Sequence, residues 1–322
     1  MKNKASEIIM VSPARFGYNK QTASTNLFQQ NDDVSADKIQ ERALKEFEGF
    51  VKLLKKNHVN VKVLKDTISP ATPDSIFPNN IVSFHTIENL TVPAPPEMNL
   101  PDNLLNFKNI PALVIYPMMA KNRRREREGV IRKKMKGYSV VFDLSINENH
   151  ENFLEGTGSI IFDYENQVAY ASNSKRTNIE LFKMLCQHLN YSTVTFSSVD
   201  KKGNEIYHTN VMMCIGKGFA VVCDECVRDK EELFTLMKSL IDTDHKIITI
   251  NYKQLNAFAG NMYQLFNKKG ESIIVMSEQG YKSLKKEQIT KLKKFGKILH
   301  PPLYTIEKYG GGSARCMIAD VR

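Results

Sequence analysis

The chain has 322 residues, 42% of them hydrophobic and 25% charged, with a formal net charge of +10. That is an ordinary globular composition with enough apolar material for a substantial core. It argues against a transmembrane protein, because no apolar run approaches the ~20 residues a helix needs to span a bilayer.

The N-terminal stretch MKNKASEIIMVSPARFG carries neither an extended apolar segment nor a signal-cleavage pattern, so a cytoplasmic location is expected. Residues 6–12 read as a buried strand. Residues 37–57 follow as a helix, with Ile39, Ala43, Leu44, Phe47, Val51 and Leu54 at helical spacing. Val59–Leu64 alternates as a strand, and a Pro-rich turn leads to the apolar stretch Ile81–His85. Residues 91–111 read as a connection with a short hairpin, and the Pro-rich segment 86–111 as a candidate lid.

Ala112–Tyr116 is a strand, Arg123–Met135 a helix, and Ser139–Leu144 a strand. A hairpin joins Ser159–Asp163 to Val168–Ala171, then come helix Asn178–Leu189 and strand Ser192–Ser198. Val211–Gly216 and Phe219–Cys223 pair around Gly216-Lys217-Gly218. Helix Glu231–Ile241 and strand Lys246–Ile250 are followed by the pair Ala259–Phe266 and Ser272–Met276. Helix Lys282–Phe295, strand Lys297–His300, a glycine turn and strand Arg315–Val321 end the chain. A strand-strand-helix-strand unit recurs roughly every fifty to sixty residues. That order excludes a doubly wound sheet and suits radial packing of small sheets in one domain over 1–322.

The five cysteines are odd in number and lack a secretion signal, which argues against a disulfide framework. Cys223 and Cys226 have C-x-x-C spacing, but no second pair completes a zinc site. The arginine run 122–128 is interleaved with glutamates and has no aromatic platform, so a solvated face or a carboxylate site fits better than nucleic acid.

Cys316 follows three glycines, a serine, Ala314 and Arg315. Glycines let the backbone bend tightly, and a neighbouring cation favours thiolate over thiol, so the turn can present a nucleophile. A buried packing cysteine is the competing reading. A catalytic cysteine needs a proton carrier. His208 lies in a polar cluster at the mouth of an apolar strand, His85 is a lesser candidate, and the other five histidines lie in turns, helix ends and loops. Glu155 before Gly156-Thr157-Gly158, and Asp74, Asn79 and Asn80 before another apolar stretch, repeat the design of polar residues at a strand entrance. Four such segments suggest one shared central site.

The segments MVSPARFGYN (10–19), PDSIFPNN (73–80), YPMMAKNRRREREGVI (116–131), LEGTGSIIFD (154–163), SKRTN (174–178), YHTNVMMCIG (207–216), AGNMYQL (259–265) and GGGSARCM (310–317) span the chain in order. With them the chain resembles the guanidino-group-modifying superfamily (penteins), and within it the arginine-deiminase-related citrulline hydrolases. The resemblance implies a fivefold pseudosymmetric α/β propeller, Cys316 as nucleophile, His208 as general acid/base, Glu155 as the carboxylate contacting substrate nitrogen or supporting the histidine, and Arg176 as a supporting residue. Relatives that act on a guanidinium carry Asp where Asn80 and Asn210 stand here.

An amide suits a neutral ureido group, which offers both donors and an acceptor, whereas carboxylates suit a guanidinium. The expectation is therefore hydrolysis of L-citrulline to ornithine, ammonia and carbon dioxide, with Asn80, Asn210 and Glu155 positioning the ureido group. Arg123 or Arg124 would hold the α-carboxylate, Asp74 the α-ammonium, and Arg315 would raise the thiolate fraction. No metal or organic cofactor is implied. The partner is a small molecule, neither nucleic acid nor membrane, and a homo-oligomer is compatible. The alternatives are an arginine deiminase or dimethylarginine dimethylaminohydrolase, then an amidinotransferase. Outside catalysis, the alternative is a basic nucleic-acid-binding or scaffold protein on the same fold.

Overall fold

The computed structural model describes residues 5–93, 104–128 and 137–321. Fifteen strands form five sheets of three. The first sheet holds β1 (Glu7–Ser12) between β2 (Asn60–Lys65) and β15 (Ala319–Val321). The next two hold β3 (Val82–Pro93), β4 (Leu104–Ile115) and β5 (Val140–Asp143), then β6 (Ile160–Asp163), β7 (Val168–Asn173) and β8 (Ser192–Ser197). The last two hold β9 (Met213–Gly216), β10 (Phe219–Val222) and β11 (Lys246–Thr249), then β12 (Tyr263–Phe266), β13 (Ser272–Val275) and β14 (Lys297–Leu299).

Every sheet repeats one plan. Its middle strand pairs antiparallel on one side and parallel on the other. A parallel neighbour requires a crossover connection, and in four blades the described crossover contains an α-helix: Ala36–Lys56, Ile179–His188, Lys230–Asp242, and the pair Glu278–Ser283 and Lys286–Leu292. The result is a fivefold pseudosymmetric α/β propeller. Blade one is closed by the end of the chain, with Ile8 opposite Asp320 and Ile9 opposite Ala319.

The helices form where the sequence places apolar stripes between caps. Helix Ala36–Lys56 buries Ile39, Ala43, Phe47, Phe50, Val51 and Leu54 on one face, with Asp37 in its first turn and Lys55 and Lys56 in its last, as the helix dipole favours. Asn178 caps the helix of blade three and Asp229 that of blade four, each accepting from first-turn backbone N–H groups.

Several expectations are corrected. The segment 86–111 belongs to a long antiparallel arm in which β3 and β4 pair from Val82↔Ile115 to Pro93↔Leu104; residues 94–103 lie outside the described residues. The ladder accommodates Pro111 opposite Thr86 and Pro93 opposite Leu104. The helix expected at Arg123–Met135 opens with a 3-10 turn at Arg123–Arg125 and continues as α-helix over 126–128; residues 129–136 lie outside the described residues. The Lys282–Phe295 helix breaks in two at Leu284, which adopts an extended conformation. A seven-residue helix, Tyr304–Gly310, occupies what reads as an irregular lead into the glycine turn.

The strands expected at Val211 and Ala259 start later, at Met213 and Tyr263, because a tight turn precedes each. Such a turn stands before the first strand of every blade: Pro78–Asn80, Gly156–Ser159, Thr209–Met212, Gly260–Met262 and Ala314–Met317. Hydrogen bonds stitch the turns into a ring. Thr157 Oγ1 donates to Asn79 O at 3.3 Å, Thr209 Oγ1 to Ser159 O at 2.6 Å, Asn261 Nδ2 to Asn210 O at 2.9 Å, and Arg315 N to Asn261 Oδ1 at 3.0 Å. Phe77 closes the ring by packing against Gly310 and Gly312.

Candidate active site

Polar side chains on these turns or at their N-caps come together, so residues far apart in sequence become neighbours. Asn80, Glu155, His208, Asn210 and Cys316 are all buried, none more than 3% exposed. His208 Nε2 lies 2.9 Å from Glu155 Oε2, and Glu155 Oε1 accepts from Met119 N at 3.1 Å. Asn210 Nδ2 donates to Cys316 Sγ at 3.4 Å. Gly158 is the contact point between turns: a β-carbon there would sit 2.4 Å from Asn80 Oδ1 and 2.7 Å from His208 Nδ1. Only glycine allows that approach.

The electrostatics fix the protonation states. Burial pushes the Glu155 carboxyl upward, but the Arg176 charge, the His208 hydrogen bond and Arg123 outweigh it and hold the group at about 2. Burial pulls His208 down to about 4, against the opposing pull of Glu155 and with help from the two guanidiniums. At neutral pH the pair is thus a carboxylate and a neutral imidazole. A carboxylate only accepts, so Nε2 carries the proton and donates it to Glu155. The lone pair is left on Nδ1, which faces Gly158 and Asn80.

Arg123 is buried among three carboxylates: Glu126 at 3.1 Å, Asp74 at 3.8 Å and Glu155 at 3.8 Å. Arg176, expected as a supporting residue, reaches Glu155 at 3.5 Å, donates to Thr22 O at 2.7 Å and lies 4.7 Å over the Tyr207 ring. Asp74 accepts from Asn19 Nδ2 at 2.8 Å, and burial raises its carboxyl against the pull of Arg123.

Two expected placements differ. Arg124 turns to Glu148 at 3.2 Å and to Met118 O at 3.0 Å, away from the ring of turns. Arg315 lies 4.0 Å over the Tyr263 ring and donates to Ile318 O at 2.7 Å, so its guanidinium serves packing where a thiolate partner was expected. His85 sits on β3, bonded to Ser83 Oγ at 2.7 Å and edge-on to Phe162. Among the described residues no group of three His, Cys, Asp or Glu side chains stands ready to hold a metal ion.

One residue escaped the sequence reading. Asn261 Nδ2 lies 3.3 Å from Cys316 Sγ, and its Oδ1 anchors the backbone N–H of Arg315. It stands two residues before β12, as Asn80 stands two residues before β3. The signal was present in AGNMYQL, a polar residue after glycine at a strand entrance.

This fold and this ring of turns define the pentein class of guanidino-group-modifying enzymes, which hydrolyse C–N bonds. The chain belongs to the family described as N,N dimethylarginine dimethylhydrolase, eukaryotic, which matches residues 12–322. No curated protein matches the sequence. Among solved structures it is similar to the product-bound N-terminal domain of ArgZ, an arginine dihydrolase from the ornithine-ammonia cycle in cyanobacteria. That match has a TM-score of 0.71 at 18% identity, covering 99% of this chain and 98% of that one. It is also similar to AgrE in its binary complex with L-arginine (TM-score 0.70, 18% identity, 98% and 40% covered). A third similar structure is a dimethylarginine dimethylaminohydrolase adduct with S-methyl-L-thiocitrulline (TM-score 0.64, 16% identity, 98% and 100% covered). At these identities the structural likeness establishes the fold.

Proposed function

We propose that the protein hydrolyses the guanidino carbon of an arginine-type amino acid, free or methylated, through a covalent bond to Cys316. The observation that carries this reading is a pair of buried acceptor oxygens in the ring of turns without protein partners, Asn80 Oδ1 and Asn210 Oδ1. An unpaired buried acceptor is costly, and a guanidinium has only donors to offer.

The chemistry runs in two halves. The sulfur attacks the guanidino carbon, a C–S bond forms, and the thiol proton passes to His208 Nδ1. His208 then protonates the departing nitrogen as its C–N bond breaks. In the second half His208 takes a proton from water, whose oxygen attacks the thiouronium carbon, and breaking the C–S bond restores the thiol. Glu155 holds the imidazole in the tautomer this needs and stabilises its cation. Arg123 and Arg176 are the buried cations for the substrate carboxylate, and Asp74 is the acceptor for its ammonium.

Hydrolysis of L-citrulline is the second reading. Amides at Asn80 and Asn210, in place of carboxylates, favour it, because they can serve a neutral ureido group once the first nitrogen has left. Separate incubations with arginine, dimethylarginine and citrulline decide between the two. Citrulline with ammonia or dimethylamine is expected from the first two substrates. Ornithine from citrulline selects the second reading. Full turnover by Cys316→Ser overturns both.

A further inference from the structure

We infer that Asn261 and Asn210 form a neutral two-donor cradle that aims the Cys316 sulfur and stabilises the negative charge that develops on it as its proton leaves. The inference rests on Cys316 being the nucleophile and adds what activates it. The hydrogen bonds of Asn261 account for its whole amide. Its Oδ1 accepts from Arg315 N at 3.0 Å and lies 3.7 Å from Cys316 Sγ, farther than the amide nitrogen, so the amide stands side-on to the sulfur with its N–H closer. One amide hydrogen reaches Asn210 O at 2.9 Å and the other points to Cys316 Sγ at 3.3 Å. Asn210 Nδ2 adds a second donor at 3.4 Å, from a different blade. Asn210 and Asn261 are both fully buried, and Asn261 N is tied to Phe258 O at 3.0 Å, so neither donor is free to swing away.

A neutral thiol is a weak acceptor; a thiolate accepts strongly, and its bonds to N–H donors are charge-assisted. Two fixed amides therefore favour the ionised sulfur. They do so without a positive charge beside it, and Arg315, the cation next in sequence, is committed to Tyr263 and Ile318 O. A cation at the sulfur would repel a guanidinium approaching the same atom, whereas amides stabilise the anion and leave that approach unopposed.

The test needs no substrate. Asn261→Asp is nearly isosteric and keeps an acceptor for Arg315 N, but puts an oxygen where the sulfur has its donor. Alkylation of Cys316 by iodoacetamide at fixed neutral pH, followed by intact-protein mass spectrometry with Cys316→Ala as the site control, is expected to slow about 100-fold. In turnover assays kcat should fall by a similar factor with KM within about threefold, a split that simple loosening of the fold does not produce. Asn210→Ala removes the other donor without adding charge, and about tenfold slower alkylation is expected. It serves as the readout should circular dichroism show that Asn261→Asp is unfolded. A folded Asn261→Asp or Asn210→Ala protein alkylated within twofold of the unsubstituted rate overturns the cradle. Should Cys316→Ala retain turnover, the nucleophile assignment fails instead, and the two failures are distinguished.

Discussion

His208 and Glu155 show how one hydrogen bond sets the chemistry of a buried site. Because burial holds the imidazole near 4 and Glu155 is ionised, His208 rests as a base with its lone pair on Nδ1. Replacing it with alanine should lower kcat by about 10²–10⁴ while the circular dichroism spectrum is retained. The acid limb of kcat/KM should lie near pH 4, where His208 gains its second proton, and a limb near pH 6.5 would contradict this environment. The same shifts bear on stability. Both groups titrate lower in the folded chain than in the unfolded one, where His titrates near 6.5 and Glu near 4.5. The unfolded state therefore binds more protons in acid. Their contribution is present at neutral pH and is lost as pH falls, between about 6.5 and 4 for His208 and between about 4.5 and 2 for Glu155. Burial raises Glu126 to about 8 and Glu307 to about 7, which works in the opposite direction, so the decline is expected in the difference between the urea midpoints of the unsubstituted chain and of His208→Gln from pH 7 to pH 4.

At the scale of elements, the tight turns before the inner strands carry the function, and the helices outside position them. Gly158 is the sharpest case. A methyl group there meets Asn80 Oδ1 and His208 Nδ1 within 3 Å, while the neighbouring turns stay fixed by the ring of hydrogen bonds. Gly158→Ala should therefore cost more than about 100-fold in kcat/KM, with a fall in Tm of only a few degrees. Equal loss of both would mean that the turn has unfolded instead. Gly311 works differently. Its φ of +62° ends helix Tyr304–Gly310 in the left-handed region, and its carbonyl accepts from Tyr207 Oη at 2.6 Å. The glycine turn is thus fastened to the residue before His208, which ties the segment leading to Cys316 to the blade that carries His208.

For the whole molecule, closure is the central fact. β15 completes the sheet of β1, and Asp320 accepts from Tyr263 Oη at 2.7 Å across the blade boundary. Cys316 stands three residues before that strand, so the segment that closes the propeller also carries the proposed nucleophile. Truncation after Ile318 should lower Tm by about 5–10 °C in calorimetry and abolish turnover, because the turn loses its downstream anchor. Retained activity would show that the ring of turns is self-sufficient.

The sequence by itself determined the repeating strand-strand-helix-strand unit, since periodicity and caps are local, and it determined the polar residue at four of the five inner-strand entrances. It did not determine which of those residues touch. Arg315 adjoins Cys316 in sequence and points elsewhere, while Asn261, 55 residues away, reaches its sulfur. Nor did it determine which face the amides present. Composition at Asn80 and Asn210 suggests a partner with donors and an acceptor, but tertiary packing turns an Asn210 N–H to the sulfur and leaves both amide oxygens without a protein partner. Contacts between blades and the direction of an amide are set by chain closure and by the count of buried hydrogen bonds, and neither is a property of any local stretch.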